Sequence, residues 1–552
     1  MENLTPRPPL RPVERGSQAQ QRMLYVAVFA SGMTTLAVEL SASRLLGNIF
    51  GTSNLVWANI IGLILIYLTV GYFVGGRLAD RSPYHVTLYR LIVWGAFFSG
   101  LVPLAARPVL SAAAQAVAGF DAGVAVGSLI AVLVLFSVPV TLLGCVSPFA
   151  IRLALREVAD AGQTSGRMYA ISTLGSILGT FLPVLWLIPE AGTSRTFLYF
   201  SEFLMLVGLV GLALHSRRAA LQLAWMPPVL LIVSLLAING PLRPAPANMN
   251  LLYDKDSAYN YIQVTELKAP QGRFVAGTRL LLLNEGQGIH SVWSPGSTFY
   301  GGTWDMFLVA PFFNKPPYRP QNIRSLCIVG LAAGTIAHQY TDVFGPAVQI
   351  DGIEIDPDIV EVGRRYFEMR QPNLHVIIED GRLALHRSTK RYNVVGIDAY
   401  RVPYVPWNLT TVEFFADVRD HLTADGVVVI NVSRTVNTIT KQQDRRLIEA
   451  MSHTMQQIFP SVHTIDVPSS FNTILVGTVT RTDAANLAEN RAALPAESNA
   501  LLKTALDTAI RAVVPTAASN VLFTDDRAPV ETIINSMVVD FLVSGGTSQF
   551  SH

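Results

Sequence analysis

Three carboxylates and a glycine turn are spaced along residues 324–400 so that they could gather around one ligand. Gly330-Leu-Ala-Ala-Gly334 follows the apolar run SLCIV and opens an amphipathic segment. Small residues in such a turn let a ligand approach backbone amides at the start of a helix. Glu354 closes the next apolar run, roughly 20 residues on, where an acid can accept both hydroxyls of a ribose. Asp380-Gly381 closes a third run, from which a side chain reaches an adenine amine, and Asp398 closes a fourth, facing whatever lies beyond the sugar. The spacing permits a dinucleotide or an adenosyl ligand, and Asp380 tilts the choice toward the second. Each residue alone has a plainer reading as a turn glycine or a helix cap, as Asp356 before Pro357 does. Four strand ends together point to a ligand.

The elements that must hold these residues follow from periodicity. Apolar runs at 325–329, 348–355, 375–378, 393–397, 427–432, 462–467 and 472–477 read as strands. Between them, 334–343, 357–367, 382–387, 411–422 and 441–458 read as helices. Such alternation implies βαβ units and a parallel sheet covered on both faces. Residues 484–513 are Ala-rich and read as helical, and Thr524-Asp-Asp-Arg-Ala-Pro-Val-Glu531 as a polar turn before a last apolar helix and a frayed tail from 545. Upstream, 259–267, 278–284 and 290–293 alternate apolar and polar residues, as strands of a small antiparallel sheet turned at 284–288. Residues 304–313 read as a helix leading into the larger domain, and 241–250 as a Pro-rich connector.

The first 240 residues are of another kind. The chain has 552 residues, half of them hydrophobic and only 14% charged, whereas a soluble chain carries about 25% charged residues. The excess sits in seven apolar stretches, near 23–46, 57–74, 88–106, 122–145, 168–188, 196–214 and 221–238. Each is about long enough for a hydrocarbon core of ~30 Å. Gly62, Gly71, Gly175, Gly179 and Pro183 are tolerated within them and let backbones approach closely, and Gly71, Gly75 and Gly76 form a small-residue face near the end of the second. Glu39 and Arg44 in the first stretch read as an ion pair fixing helix packing, the alternative being a functional intramembrane acid. Residues 1–22 form a basic tail without the apolar core of a cleaved signal peptide. Arginines in that tail and in alternate loops place the N-terminus in the cytoplasm. Seven crossings would put the rest of the chain on the other side, away from where an adenosyl cofactor is made, so its side stays open. A net charge of +2 makes no case for nucleic acid, and Cys145 and Cys327 read as buried apolar residues.

From about 259 to 531 the sequence resembles the spermidine synthase family, the polyamine aminopropyltransferases, and with its apolar stretches the membrane-fused branch of that family. The likeness rests on Ser257-Ala-Tyr259, the 284–291 hairpin, the turn at Gly330, Glu354-Ile-Asp356-Pro357, Asp380-Gly381-Arg382, Tyr392 to Asp398, Leu409-Thr-Thr-Val-Glu-Phe414 and 524–531. It implies a multi-span α-helical membrane domain (23–240), a small antiparallel β-subdomain (251–315) and an α/β Rossmann-like, methyltransferase-type domain (320–545). It also implies transfer of an aminopropyl group from decarboxylated S-adenosylmethionine to an amine, with no metal. Glu354 would hold the ribose, Asp380 with Gly381 the adenine, and Gly330, Gly334 and Asn260 would complete the donor site. Asp398 would deprotonate the attacking amine, with Asp305, Tyr400 and Arg401 near the acceptor.

The chain also departs from the family pattern. Ala333 stands where the turn has an Asp, Arg401 where a second Asp follows the catalytic one, and Asn260 where a Gln is usual. Thr303-Trp304-Asp305 replaces Tyr-His-Glu, and Val309 a later His. The nucleoside-binding acids persist while the polyamine-binding groups are replaced. Two further readings therefore stand beside aminopropyl transfer. One is methyl transfer from S-adenosylmethionine, with Arg401 on its carboxylate. The other is a catalytically inactive, membrane-anchored binding or assembly module, with Trp304, Tyr400, Tyr404 and Trp407 as its partner surface. The expected surroundings are the lipid bilayer of a bacterial-type inner membrane and a small amine; a homo-oligomer or a membrane-protein partner stays open.

Overall fold

A computed structural model describes residues 17–50, 54–116, 123–155, 157–237, 245–284, 288–400, 405–436, 442–468, 470–516 and 518–543. Most of the basic tail, the start of the connector, the hairpin tip at 285–287, Arg401, Tyr404 and the C-terminal tail lie outside the described residues. The chain divides into two units, one of residues 1–118, 122–242 and 256–258, the other of 119–121, 243–255 and 259–552.

The first unit is helical: α1 (Gln18–Phe50), α2 (Asn54–Arg81), α3 (His85–Ala116), α4 (Gly123–Gly144), α5 (Val146–Ala154), α6 (Ala161–Leu182), α7 (Ile188–Ala191), α8 (Thr193–His215), α9 (Arg217–Leu223) and α10 (Met226–Ala237). Six segments among the described residues are long and apolar enough to cross a membrane: Gln18–Gly47, Val56–Arg81, His85–Ala106, Gly127–Ala154, Ala161–Ala191 and Thr193–His215. The seventh stretch of the sequence is broken at Ala224 and Trp225, leaving α10 with 12 residues. That is a rise of about 18 Å, short of the ~30 Å core.

Glycines bring these helices together. A Cβ at Gly175 or Gly179 of α6 would overlap the Phe29 or Met33 carbonyl of α1, and one at Gly71 or Gly75 of α2 would overlap Thr141 or Cys145. Large apolar side chains such as Phe73 and Leu185 point outward, 66% and 72% exposed, as an apolar surrounding requires. Arg44 pairs at 3.0 Å with Asp256, which groups with this unit, rather than with Glu39.

The second unit begins with a sheet of four strands in sequence order, β1 (Met249–Asp256), β2 (Tyr261–Leu267), β3 (Arg279–Leu283) and β4 (Ile289–Trp293). β1 was not expected, because the proline run before it masks its start. The expected helix at 304–313 is instead two 3-10 turns, Trp304–Phe307 and Ala310–Phe313. Pro311 has no N–H to continue a helical ladder.

The larger sheet contains β5 (Ser325–Val329), β6 (Gln349–Glu354), β7 (Leu374–Ile378), β8 (Tyr392–Ile397) and β9 (Leu422–Ser433). A small ribbon, β10 (Thr435–Val436) with β11 (Gln443–Asp444), precedes β12 (Ser461–Asp466), β13 (Asn472–Thr478) and β14 (Val513–Val514). The order is β14-β12-β13-β9-β8-β5-β6-β7. Neighbours from β7 to β9 are parallel, and β13 is antiparallel to β9. This is the methyltransferase-type Rossmann arrangement that the sequence led us to expect. Its helices are α11 (Thr335–Phe344), α12 (Pro357–Tyr366), α13 (Gly381–Arg387), α14 (Val412–Asp420), α15 (Arg446–Gln456), α16 (Ala485–Ala492), α17 (Ala500–Ala512) and α18 (Val530–Val543). The Ala-rich stretch splits around Pro495, and Asn499 caps α17 by accepting from the Leu501 N–H at 2.8 Å.

Strand residues alternate between two apolar layers. Leu326, Ile328, Val394 and Val429 enter one, and Cys327, Val329, Val395 and Ile430 the other. Asp351 is the exception within β6, a buried acid that accepts from Lys390 at 2.7 Å, Tyr392 at 2.8 Å and His375 at 3.1 Å. These donors, Lys390 foremost, hold its carboxyl below the usual range against the opposing cost of burial. A depressed acid stabilises the fold above its unfolded value, and the contribution is lost as pH falls through the folded one. Asp351→Asn is expected to cost about 1–2 kcal/mol at pH 7, and less as pH drops below about 4. The chemical unfolding midpoint of the detergent-solubilised chain measures it.

Candidate active site

Strand order reverses between β8 and β5, the position at which open α/β sheets bind ligands. Val329 of β5 is in register with Ile353 of β6 and Ile397 of β8. Gly330, Glu354 and Asp398 therefore leave the sheet side by side. Gly330 has φ +90°, and a Cβ there would lie 2.6 Å from the Ala399 nitrogen and 2.7 Å from the Asp398 carbonyl carbon. Only glycine lets the turn come this close to the end of β8. Ala332 is also left-handed, at φ +49°. Gly334, at φ +87°, starts α11.

That conformation turns the Ala332 N–H onto Glu354 Oε2 at 2.9 Å, while Glu354 Oε1 accepts from the Asp356 N–H at 3.1 Å. A carboxylate has about four acceptor positions, so capacity remains for a ligand hydroxyl. Burial pushes the Glu354 carboxyl up to about 7, against the backbone N–H groups of Asp356 and Ala332. Asp380 caps α13, its Oδ1 accepting from the Arg382 and Leu383 N–H groups at 3.1 and 3.0 Å. Gly381 packs against Val329 with no room for a Cβ.

Asp398 is held by two uncharged donors. Asn431 Nδ2 donates to Oδ1 at 2.9 Å and Trp304 Nε1 to Oδ2 at 3.1 Å. Burial pushes its carboxyl up to about 7, with those two bonds pulling the other way. The Oδ1 of Asn431 is buried without a partner among the described residues. Turning the amide over would set that oxygen against the carboxylate, so the orphaned acceptor is enforced. Tyr400 lies beside this group, its hydroxyl bonded to Ser433. Asn431 was missed from the sequence, although an amide inside the apolar run VVVINV was its signal. Trp304, read there as part of a partner surface, turns its indole N–H onto the candidate base.

The remaining site residues are placed differently. Asp305 is fully buried, with Oδ1 accepting from the Tyr300 N–H at 3.3 Å and Gln339 at 2.6 Å, and Oδ2 from the Gly302 N–H at 2.8 Å. Its carboxylate ties the 300–302 loop to α11. Asn260 donates to Asp356 Oδ2 and accepts from Asn284, both at 2.9 Å, in a buried chain joining the small sheet to the start of α12. The Ala333 methyl is 2% exposed and packs with Ile262, Val264, Ile359 and Val362. An acid at 333 would sit in that apolar cluster. Arg401 lies outside the described residues.

The fold is a methyltransferase-type α/β unit whose carboxylates gather at its switch point. Residues 321–489 of the second unit match the family described as spermine/spermidine synthase domain. A probable polyamine aminopropyl transferase of Bifidobacterium longum is 33% identical over 225 residues, 40% of this chain and 46% of that protein. A polyamine aminopropyltransferase of Vibrio vulnificus is 26% identical over 180 residues, 32% of this chain and 55% of that one. The chain thus spans about half the length of these curated relatives. Among solved structures, a probable spermidine synthase from Corynebacterium glutamicum aligns over 46% of this chain and 86% of its own, at 20% identity and a TM-score of 0.36.

Folding raises Asp398 from its usual 3.8 to about 7. Its neutral form therefore favours the fold, an advantage present below the unfolded value and lost as pH rises through 7. In Asp398→Asn, Asn431 can turn over to accept from the new amide while Trp304 still donates. The variant is expected to be more stable than wild type by about 1–3 kcal/mol at pH 8 and no more stable at pH 5. Thermal unfolding at the two pH values reads the difference.

Proposed function

We propose that the chain is a membrane-anchored aminopropyltransferase that takes decarboxylated S-adenosylmethionine as donor and a small amine as acceptor. Glu354 accepts from the ribose hydroxyls, Asp380 with Gly381 receives the adenine, and the 330–334 turn lies along the rest of the nucleoside. The observation that carries the reading is Asp398: a buried carboxyl near 7, beside an acceptor oxygen with no partner among the described residues. An ammonium brings several N–H donors, which the Asp398 carboxylate and Asn431 Oδ1 can share. Asp398 takes one proton, and the freed nitrogen lone pair attacks the propyl carbon next to sulfur. As the C–N bond forms the C–S bond breaks, its electron pair leaving on sulfur as the neutral thioether methylthioadenosine. A base poised near the working pH is suited to this transfer.

The test is release of methylthioadenosine by the purified, detergent-solubilised chain supplied with the decarboxylated donor and small primary amines. Asp398→Asn is expected to slow release about 10²–10⁴-fold while leaving methylthioadenosine binding in place. Wild-type kcat/KM is expected to rise with pH through about 7 and then level. Methylation of an amine from intact S-adenosylmethionine, or adenosyl binding without transfer to any amine, would overturn the proposal.

Six crossings, rather than seven, return the chain to the side on which it starts. We place both the N-terminus and the second unit in the cytoplasm of a bacterial-type inner membrane, on the arginine distribution. Protease added to spheroplasts is expected to spare the second unit until the membrane is opened; cleavage in intact spheroplasts would reverse the assignment.

A further inference from the structure

The chemistry above leaves the Thr524-Asp-Asp-Arg motif without a role, yet Asp525 is bound to segments on both sides of the site. Arg382 Nη1 and Nη2 donate to Asp525 Oδ1 and Oδ2 at 2.8 and 2.7 Å, a two-pronged ion pair. The same guanidinium donates to the Asn408 carbonyl at 3.1 Å, in the turn just before α14. Thr411, which caps α14, donates its hydroxyl to Asp525 Oδ1 at 2.7 Å. The Asp525 N–H donates to Glu413 Oε2 at 3.0 Å, and the Val412 N–H to the Phe523 carbonyl at 2.9 Å. Phe523 is fully buried and anchors the turn, which two bonds of 3.0 Å between Thr524 and Arg527 close. On its other side, Arg382 offers its main-chain N–H to Asp380.

We propose that Asp525 is a positioning residue for the adenosyl ligand. It holds the Arg382 guanidinium, and through it the turn that presents Asp380 and Gly381 and the 408–411 stretch before α14. The inference rests on the reading of Asp380 as the adenine partner. A partly exposed ion pair contributes little to stability by itself. This one differs from such a pair because its fork geometry fixes direction and because one end lies on the turn that follows Asp380 while the other is bonded to the start of α14.

The experiment is calorimetric titration of methylthioadenosine into the detergent-solubilised full chain, with thermal unfolding in parallel. Asp525→Asn and Arg382→Gln are each expected to weaken binding about three- to tenfold. The double variant is expected to lose no more than either single one, the signature of a coupled pair. Arg491→Gln breaks the Arg491–Asp507 pair, 2.9 Å long and away from the site, and is expected to leave binding unchanged for a similar shift in unfolding midpoint. Wild-type affinity in Asp525→Asn, additive losses in the double variant, or an equal loss in Arg491→Gln would each overturn the inference. A wild-type chain that binds no methylthioadenosine would instead overturn the adenosyl reading on which it rests.

Discussion

Position 330 can hold no side chain, and the geometry of the second unit depends on that. Because the β5–α11 turn lies against the backbone of Asp398 and Ala399, the ends of three adjacent strands meet around it. The turn then closes on Glu354 through the Ala332 N–H. The small sheet docks on the same turn, with Ser291 accepting from the Ala333 N–H at 2.9 Å and Thr335 bonded both ways to Val292. A bulkier residue at 330 would separate Asp398 from Glu354 and lift the small sheet at the same time.

The charges around Asp398 follow a second constraint. A guanidinium or ammonium beside it would hold its carboxyl in the ionised form at low pH, where it would be a weak base. Trp304 and Asn431 fix both oxygens without adding charge, so burial is left to set the proton affinity. Asp351 shows the contrast within the same sheet. It too is buried, but Lys390 and two further donors surround it and its carboxyl falls instead of rising. The acid paired with a cation sits inside β6, and the candidate base sits just beyond the end of β8.

The strand runs and their terminal acids were legible because apolar period and turn residues report the local backbone directly. So were the buried cysteines and the helix contacts at Gly71, Gly75, Gly175 and Gly179, whereas a Cβ at Gly62 or Gly76 would meet nothing within 4 Å. What escaped depended on tertiary partners. The stretch at 221–238 is apolar enough to span, but Pro227 and Pro228 begin a new helix where composition alone suggests a continuous one. Asp305 reads as a site acid until Gln339 and two backbone N–H groups are seen to claim it. Ala333 reads as an acid lost from a pocket, whereas its methyl is packed in an apolar cluster. The role of Asn431 lies in an orphaned oxygen that no spacing reveals.

These placements bear on what the proposed reaction can accept. The family resemblance implies an Asp on the glycine turn for the donor's aminopropyl amine, where this sequence has Ala333. Here position 333 belongs to the packing between the small sheet and α12, and the Asp305 carboxylate is spent on its own loop. Among the described residues, the Asn431 Oδ1 beside Asp398 is an uncharged acceptor without a partner. A neutral acceptor discriminates by counting N–H donors and gains little from a distant second charge, whose interaction water weakens. On the proposed reading, selection would then act on the reacting amine itself, through the number of hydrogens it presents to Asp398 and Asn431, and only weakly on the length of any polyamine behind it.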